Sequence, residues 1–380
     1  MTTRLARDLH PIAWWVWAIG LAAYASQTTN PWLLLMLMGV AALVVTARRS
    51  DQPWARSFRL YVAAAVVIVV IRVGFRILLG SGGDGTVVLD LPEIPLPDWV
   101  LGITLLGPVT RESLLAGLYD GLRLAAIVVC VGAANALANP KRLLRSMPAA
   151  LYEVGTAVVV AVSVLPQLAE SVQRVRRAQR LRAVADGTDR RRIRGLRRLL
   201  VPVLEDALER SLTLAAGMDT RGYGRSGAAT PAERRVTGAL MLGGLIGVCA
   251  GAYGLLDQTF LGGSWRVATV EVGRGEVLLA LGVAVCVAGM AAAGRRVDRT
   301  VYRPDPWRWP ETAVASTGVF VGAVGAWVAQ HQYAVALPDL GTSPPVSAAA
   351  LIGVLVGLAP AVLAPAPRVT GARREVPVAA

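Results

Sequence analysis

The chain has 380 residues, of which 54% are hydrophobic and only 17% are charged. This composition, with a mean hydropathy of +0.53, excludes an ordinary soluble domain. The net charge is +14, and Lys141 is the only lysine. Because cytoplasmic loops of membrane proteins accumulate basic residues, and because motifs that read or stack on bases are missing from the sequence, we interpret this charge as a topology signal and predict no nucleic-acid partner.

The apolar runs predict eight transmembrane helices. No charged residue occurs between Asp8 and Arg48, and the polar stretch "SQTTNP" (26–31) divides this region into two retained spans near 12–27 and 31–47. Six further spans are predicted near 60–80, 112–138, 237–256, 275–294, 311–330 and 346–365.

The segment 150–166 is ambiguous. Hydropathy alone predicts a span, but the segment from Arg174 to Arg198 that follows contains eleven arginines and only two acidic residues. Exporting these arginines would violate the positive-inside rule. We therefore predict one cytoplasmic helix over 150–182, and both termini on the cytoplasmic side of the cell membrane.

The fold class predicted in this way is an all-α polytopic membrane protein with about eight transmembrane helices and a cytoplasmic helical insertion. The predicted segments are a bundle of four spans at 9–138, the cytoplasmic insertion at 139–236, one span at 237–256, a C-terminal region with three spans at 257–367, and a cytoplasmic tail at 368–380.

A second amphipathic helix is predicted over 192–220. Leucines line one face, Gly222 and Gly224 end the helix, and the opposite face is charged at Glu205, Asp206, Glu209 and Arg210. Three interpretations stay open for the apolar faces of the two helices. They can pack on each other, pack under the bundle, or bind an anionic lipid surface.

Each amphipathic helix ends in a short motif with a central arginine, "RAQRLRA" (177–183) and "MDTRGYG" (218–224). Together with "LHPIAWWVWAIG" near the start and "ANPKRLLRSMPAALYEVG" before the first helix, this ordered set resembles the transmembrane T component of energy-coupling factor (ECF) transporters, including the cobalt-type permease subunit. The resemblance covers about residues 9–256. The remaining 120 or so residues and their three spans depart from the family pattern.

The resemblance implies a membrane scaffold that couples ATPase motion to vitamin or transition-metal uptake. The two helices would be coupling helices, and Arg182 and Arg221 with Gly222 would anchor two ABC-type ATPase subunits. Arg180 is the alternative first anchor, and Ala178 belongs to the same motif. A small membrane substrate-binding subunit and the lipid bilayer complete the implied partners.

Catalytic and cofactor signals are weak. No P-loop sequence is present, so ATP hydrolysis is assigned to separate subunits, and "GYGRSG" (222–227) lacks the strand that a dinucleotide site needs. The three cysteines lie in apolar runs without metal-ligand spacing, so we expect no metal, cofactor or catalytic residue. Asp120 and Arg123 are candidate intramembrane charges that can pair on one helix face. A stand-alone secondary carrier or channel is the alternative function, and a membrane enzyme ranks below it.

Overall fold

The structure is a computed structural model that describes residues 7–50, 57–78, 85–92, 94–95, 104–146, 151–186, 192–222, 230–256, 264–267, 270–295 and 305–366. The chain divides into two compact units. Unit 1 comprises Met1–Leu143 and Asp305–Ala380, and unit 2 comprises Leu144–Pro304. The predicted division into five segments stays a prediction.

Unit 1 combines the N-terminal helices with the C-terminal ones. Its helices are α1 (Pro11–Ser26), α2 (Pro31–Arg48), α3 (Phe58–Leu78), α4 (Arg111–Leu137), α10 (Trp309–His331), α11 (Tyr333–Ala336), α12 (Ala348–Val356) and α13 (Pro360–Leu363). The short helix α5 (Pro140–Arg145) begins in unit 1, and its last two residues belong to unit 2. Helix α4 packs against α1, α2 and α3, while α10 packs against α1, and α12 and α13 pack against α2 and α10.

Glycines set the distance between α1 and α10. A Cβ atom on Gly20 would overlap the carbonyl of Gly318, and a Cβ atom on Gly318 would lie 2.7 Å from the Val16 carbonyl oxygen. Two turns after Gly318, a Cβ atom on Gly325 would overlap the ring of Tyr24. Small residues allow this backbone approach between apolar helices. Helix α10 is therefore part of the N-terminal bundle.

Polar side chains of the first two helices bind backbone carbonyls of the C-terminal helices. Trp17 Nε1 donates to the Gly357 carbonyl at 3.1 Å, and Arg48 Nε donates to the Ala361 carbonyl at 2.8 Å. Asn30 is fully buried and accepts from the Trp32 N–H, which caps the start of α2. These bonds satisfy groups that would otherwise be buried without partners.

Unit 2 contains two helical hairpins. The first is formed by α6 (Tyr152–Asp186) and α7 (Arg192–Thr220), and the second by α8 (Pro231–Leu256) and α9 (Arg274–Gly294). In the second hairpin a Cβ atom on Gly247 would lie 3.0 Å from Gly282 Cα, so these two helices also pack through glycine.

Short antiparallel strand pairs lie between the helices and were not predicted from the sequence. Strand β1 (Val87–Asp90) pairs with β4 (Pro108–Thr110), β2 (Ile94–Pro95) with β3 (Thr104–Leu105), and β5 (Ser264–Val267) with β6 (Val270–Gly273).

The predicted fold class is confirmed, because the described residues are mostly helical and contain seven helices long and apolar enough to cross a bilayer. These helices are Pro31–Arg48, Phe58–Leu78, Arg111–Leu137, Val154–Gln179, Arg235–Leu255, Arg274–Gly294 and Trp309–His331.

Six of the eight predicted spans coincide with helices of this group. The first and eighth coincide with shorter apolar helices, Pro11–Ser26 and Ala348–Leu363. With 16 residues, α1 is about 24 Å long, less than the hydrocarbon thickness of about 30 Å. Val154–Gln179 meets the length and composition criteria although its arginine-rich continuation predicts a cytoplasmic location, and that location stays a prediction.

Candidate functional site

The two predicted amphipathic helices form an antiparallel pair. The Ser171 hydroxyl on α6 donates to the Asp206 carboxylate on α7, and Arg210 Nη1 donates to Gln167 Oε1 at 3.5 Å. Gln167 lies four residues before Ser171 on α6, whereas its partner Arg210 lies four residues after Asp206 on α7. The two helices therefore run in opposite directions. Helix α7 spans the residues predicted from the sequence, and α6 extends four residues beyond its predicted end.

The contact between α6 and α7 includes a cluster of polar groups. Ser171 is only 2% exposed, and its hydrogen bond lowers the pKa of the Asp206 carboxyl, with a further contribution from Arg210. Arg210 Nε also binds Asp206 at 3.0 Å within α7. The ionised carboxylate therefore accepts from both helices.

The leucine face of α7 does not form this contact. Leu204, Leu208 and Leu212 are more than 60% exposed, whereas Val203, one helical turn from Asp206, is buried. Of the open interpretations, mutual packing of the two apolar faces is wrong for α7, because the charged face carries the partners of α6. Sequence periodicity located both faces of α7 but missed the roles of Ser171 and Gln167.

Helix α7 ends at the predicted arginine motif. The Arg221 N–H binds the Met218 carbonyl at 3.1 Å and the Gly222 N–H binds the Asp219 carbonyl at 2.9 Å. Gly222 has φ of +77°, the left-handed conformation that favours glycine after a helix. The Arg221 side chain is exposed immediately before this turn. The predicted role of Gly222 in ending the helix is confirmed, and Gly224 lies outside the described residues.

An open groove of about 570 Å³ runs along α7 from the crossing to Arg221. It is lined by Asp206, Glu209, Arg210, Thr213, Leu214, Gly217, Met218 and Arg221. Fifteen residues separate its two ends, which corresponds to about 22 Å along a helix. The groove therefore connects the interhelical hydrogen bond to the exposed arginine.

The first arginine motif lies in the last turns of α6. Arg180 and Arg182 have helical backbone, and their side chains are outside the described part of the chain, whereas Ala178 is exposed. Arg182 lies eleven residues beyond Ser171, or about 16 Å along the helix. Since the pair is antiparallel, Arg182 and Arg221 lie on opposite sides of the crossing, and their axial distances from it add up to about 39 Å.

The two candidate intramembrane charges have separate partners. Asp120 Oδ2 lies 3.5 Å from Arg76 Nη2 on α3, and Arg123 Nη2 donates to the Ser26 carbonyl at the end of α1. The expected pairing of Asp120 with Arg123 is wrong. Gly117 has no side chain, so the stem of Arg76 lies against α4, and the charge of Arg123 suits the negative end of a helix dipole. Both residues therefore join helices of unit 1.

Metal-ligating residues are dispersed in the described ranges, where no three His, Cys, Asp or Glu side chains come together. We accordingly assign no residue of these ranges to a metal or cofactor.

The family model of the cobalt transport protein CbiQ matches residues 2–231, which is more than half of the chain. A comparison with curated proteins finds no match. The family match includes the four N-terminal spans and the whole α6–α7 pair, and ends at the first residue of α8. The chain is therefore a multi-pass membrane protein that belongs to the CbiQ cobalt transport protein family.

Proposed function

We propose that this chain is the scaffold and coupling subunit of an ECF-type ABC importer. Two separate ABC-type ATPase subunits bind the ends of α6 and α7, and a separate small membrane subunit binds the substrate. The chain itself is non-catalytic and transmits motion between them. Its family supports cobalt or another transition metal as the cargo, and a vitamin is the second class.

The observation that carries the proposal is the antiparallel crossing of α6 and α7. It places one arginine motif on each side of a contact made by Ser171, Asp206 and Arg210. Two ATPase subunits that approach each other need two attachment points joined by a stiff element. Two helices bonded at their crossing supply such an element, because a force on either end is passed to the other through the crossing.

Arg221 suits an attachment point by its chemistry and its location. A guanidinium offers five donors and a permanent charge, so it can bind an acceptor-lined groove on a protein partner. The left-handed Gly222 turns the chain away from the helix axis directly behind it. We infer that only the end of α7 enters the binding surface of the ATPase, with the Arg221 side chain inserted deepest.

The positive-inside rule supports the orientation in this proposal. The region around α6 and α7 carries the densest arginine cluster of the sequence and faces the cytoplasm, where ATP is available. Both termini are then cytoplasmic, in the plasma membrane.

The test is co-purification of ATPase subunits with the tagged chain. We expect Arg182→Glu combined with Arg221→Glu to abolish recovery of both ATPases, because charge reversal repels an acceptor-lined groove. The matched control is Arg235→Glu, which reverses an exposed arginine at the start of α8 and should leave recovery unchanged. Full recovery with the double variant would refute the anchors. Substrate uptake by proteoliposomes that contain only this chain would favour the carrier alternative.

A further inference from the structure

The two connections between the units leave unit 1 at one place. Unit 1 is interrupted after Leu143 and resumes at Asp305. Arg142, one residue before the first connection, donates from Nε to Asp305 Oδ2 at 3.1 Å, and its Nη2 contacts the same oxygen. An ion pair therefore joins the point where the chain leaves unit 1 to the point where it returns.

Arg142 is held from three directions. Its Nη1 lies 3.8 Å from a carboxylate oxygen of Asp8, near the N-terminus. Asn139 Oδ1 accepts from the Lys141 N–H at 3.0 Å and from the Arg142 N–H at 3.4 Å, which fixes the start of α5. Helix α5 precedes α6 in the chain, and we call α5 the root of the α6–α7 pair. The contacts of Arg142 and Asn139 hold this root.

The residues that follow Asp305 are anchored more deeply. Glu311, in the first turn of α10, is fully buried and pairs with Arg7. Its two oxygens also accept from the backbone N–H groups of His10 at 3.4 Å and Arg308 at 3.2 Å. Since α10 then packs through glycine against α1, the start of α10 is a fixed point of the bundle.

The C-terminal helices lie outside the residues that match the family model, which end at 231. We propose that α10–α13 are an intramolecular brace for the root of the coupling helices, and that Arg142 is its positioning residue. The ion pair with Asp305 ties α5 to the segment that leads into α10. This inference rests on the proposed function only in that α6 and α7 receive force from ATPases.

The contacts of α5 determine where a force on α6 and α7 is resisted. A helix pair that is pushed at its two arginine motifs moves the bundle only if α5 is held in place. No residue of α5 is buried, and the charged contacts of Arg142 with Asp8 and Asp305 resist displacement of this helix. When these contacts are lost, part of each ATPase stroke displaces α5, and fewer substrate molecules cross the membrane per ATP hydrolysed.

The experiment uses charge reversal and its rescue in the full-length chain. Arg142→Asp places a carboxylate beside Asp8 and Asp305, and the double variant Arg142→Asp with Asp305→Arg restores an attractive pair in reversed order. Lys141→Asp is the matched control, because Lys141 is an exposed neighbour on the same helix. All variants are compared with the wild type in the same detergent and liposomes.

The first measurement is amide hydrogen exchange of residues 141–145 in the chain without partners. We expect about tenfold faster exchange in Arg142→Asp, and near-wild-type exchange in the double variant and in Lys141→Asp. Unchanged exchange in Arg142→Asp would overturn the brace, whatever the partners of the chain are.

The second measurement is substrate uptake per ATP hydrolysed in the assembled complex. We expect a several-fold fall in Arg142→Asp with both ATPases still bound, and recovery in the double variant. A ratio equal to that of the wild type, despite faster exchange, would overturn the positioning role. A wild-type chain that binds no ATPase would instead refute the proposed function, while the exchange result would still decide the brace.

Discussion

Asn30 joins the N-terminal spans to the C-terminal helices, and its replacement tests whether they form one bundle. Its side chain accepts from the Trp32 N–H at 3.1 Å and donates from Nδ2 to the Val335 carbonyl at 3.0 Å and the Pro345 carbonyl at 2.8 Å. Asn30→Ala removes all of these bonds and introduces no bulk. We expect a loss of stability that exceeds the loss of a helix cap alone.

The magnitude follows from the three lost bonds. Loss of an N-cap costs about 1 kcal/mol, and each of the other two hydrogen bonds contributes about 1 kcal/mol. We therefore expect Asn30→Ala to lower the free energy of unfolding by about 3 kcal/mol. The control is Asn139→Ala, which removes bonds to the N–H groups of Lys141 and Arg142 and no bond to the C-terminal helices. We expect about 1 kcal/mol for the control.

The assay is equilibrium unfolding in mixed detergent micelles, followed by the intrinsic tryptophan fluorescence of the chain. Equal losses of free energy for the two variants would refute the reasoning, because they would mean that the bonds to the Val335 and Pro345 carbonyls contribute nothing. A larger loss for Asn139→Ala would have the same meaning.

Two further predictions concern packing and protonation. Gly318→Ala pushes a Cβ atom into the backbone of α1 and should cost about 2–3 kcal/mol. The control is Gly39→Ala in α2, where a Cβ atom meets open space, and it should stabilise the protein by up to about 1 kcal/mol. If both variants changed the thermal unfolding temperature equally, the α1–α10 contact would be contradicted. Burial lowers the pKa of His10, whose Nδ1 accepts from the Ile12 N–H. The unfolded chain then binds the proton more tightly, so this residue's contribution to stability is lost as pH falls through about 6.5 and below. His10→Asn keeps a capping acceptor and should flatten the pH dependence of the free energy of unfolding. A variant whose pH dependence stays as steep as that of the wild type would refute the role of His10.

The sequence predicted the helices better than it predicted the contacts between their side chains. The spacing of leucines and charges predicted α7 from 192 to 220, because an amphipathic period and a terminal glycine are local properties. Asp120 shows the limit. Its spacing to Arg123 suggested a pair within one helix, but the partner is Arg76, a residue 44 positions earlier in the chain. Local spacing carries no information on which helix lies beside α4.

Arginine clusters and hydropathy gave conflicting predictions for α6, and the structure explains why both signals are present. Its first half is apolar enough to span a bilayer, while its second half carries the arginines and the Ser171 contact. The candidate anchors were found through their place at helix ends. Glu311 was not singled out, because one glutamate at the start of a predicted span resembles an ordinary interfacial residue until its burial is known.

The glycine contact between α1 and α10 has a consequence for biosynthesis. The surfaces that meet at Gly20 and Gly318 are made almost 300 residues apart, so the first helix enters the bilayer long before its neighbour is translated. Until then, lipid tails cover the surface of α1 around Gly20. A nascent chain released near residue 256 would leave that surface without its helical neighbour, and membrane quality control would encounter an unfinished bundle.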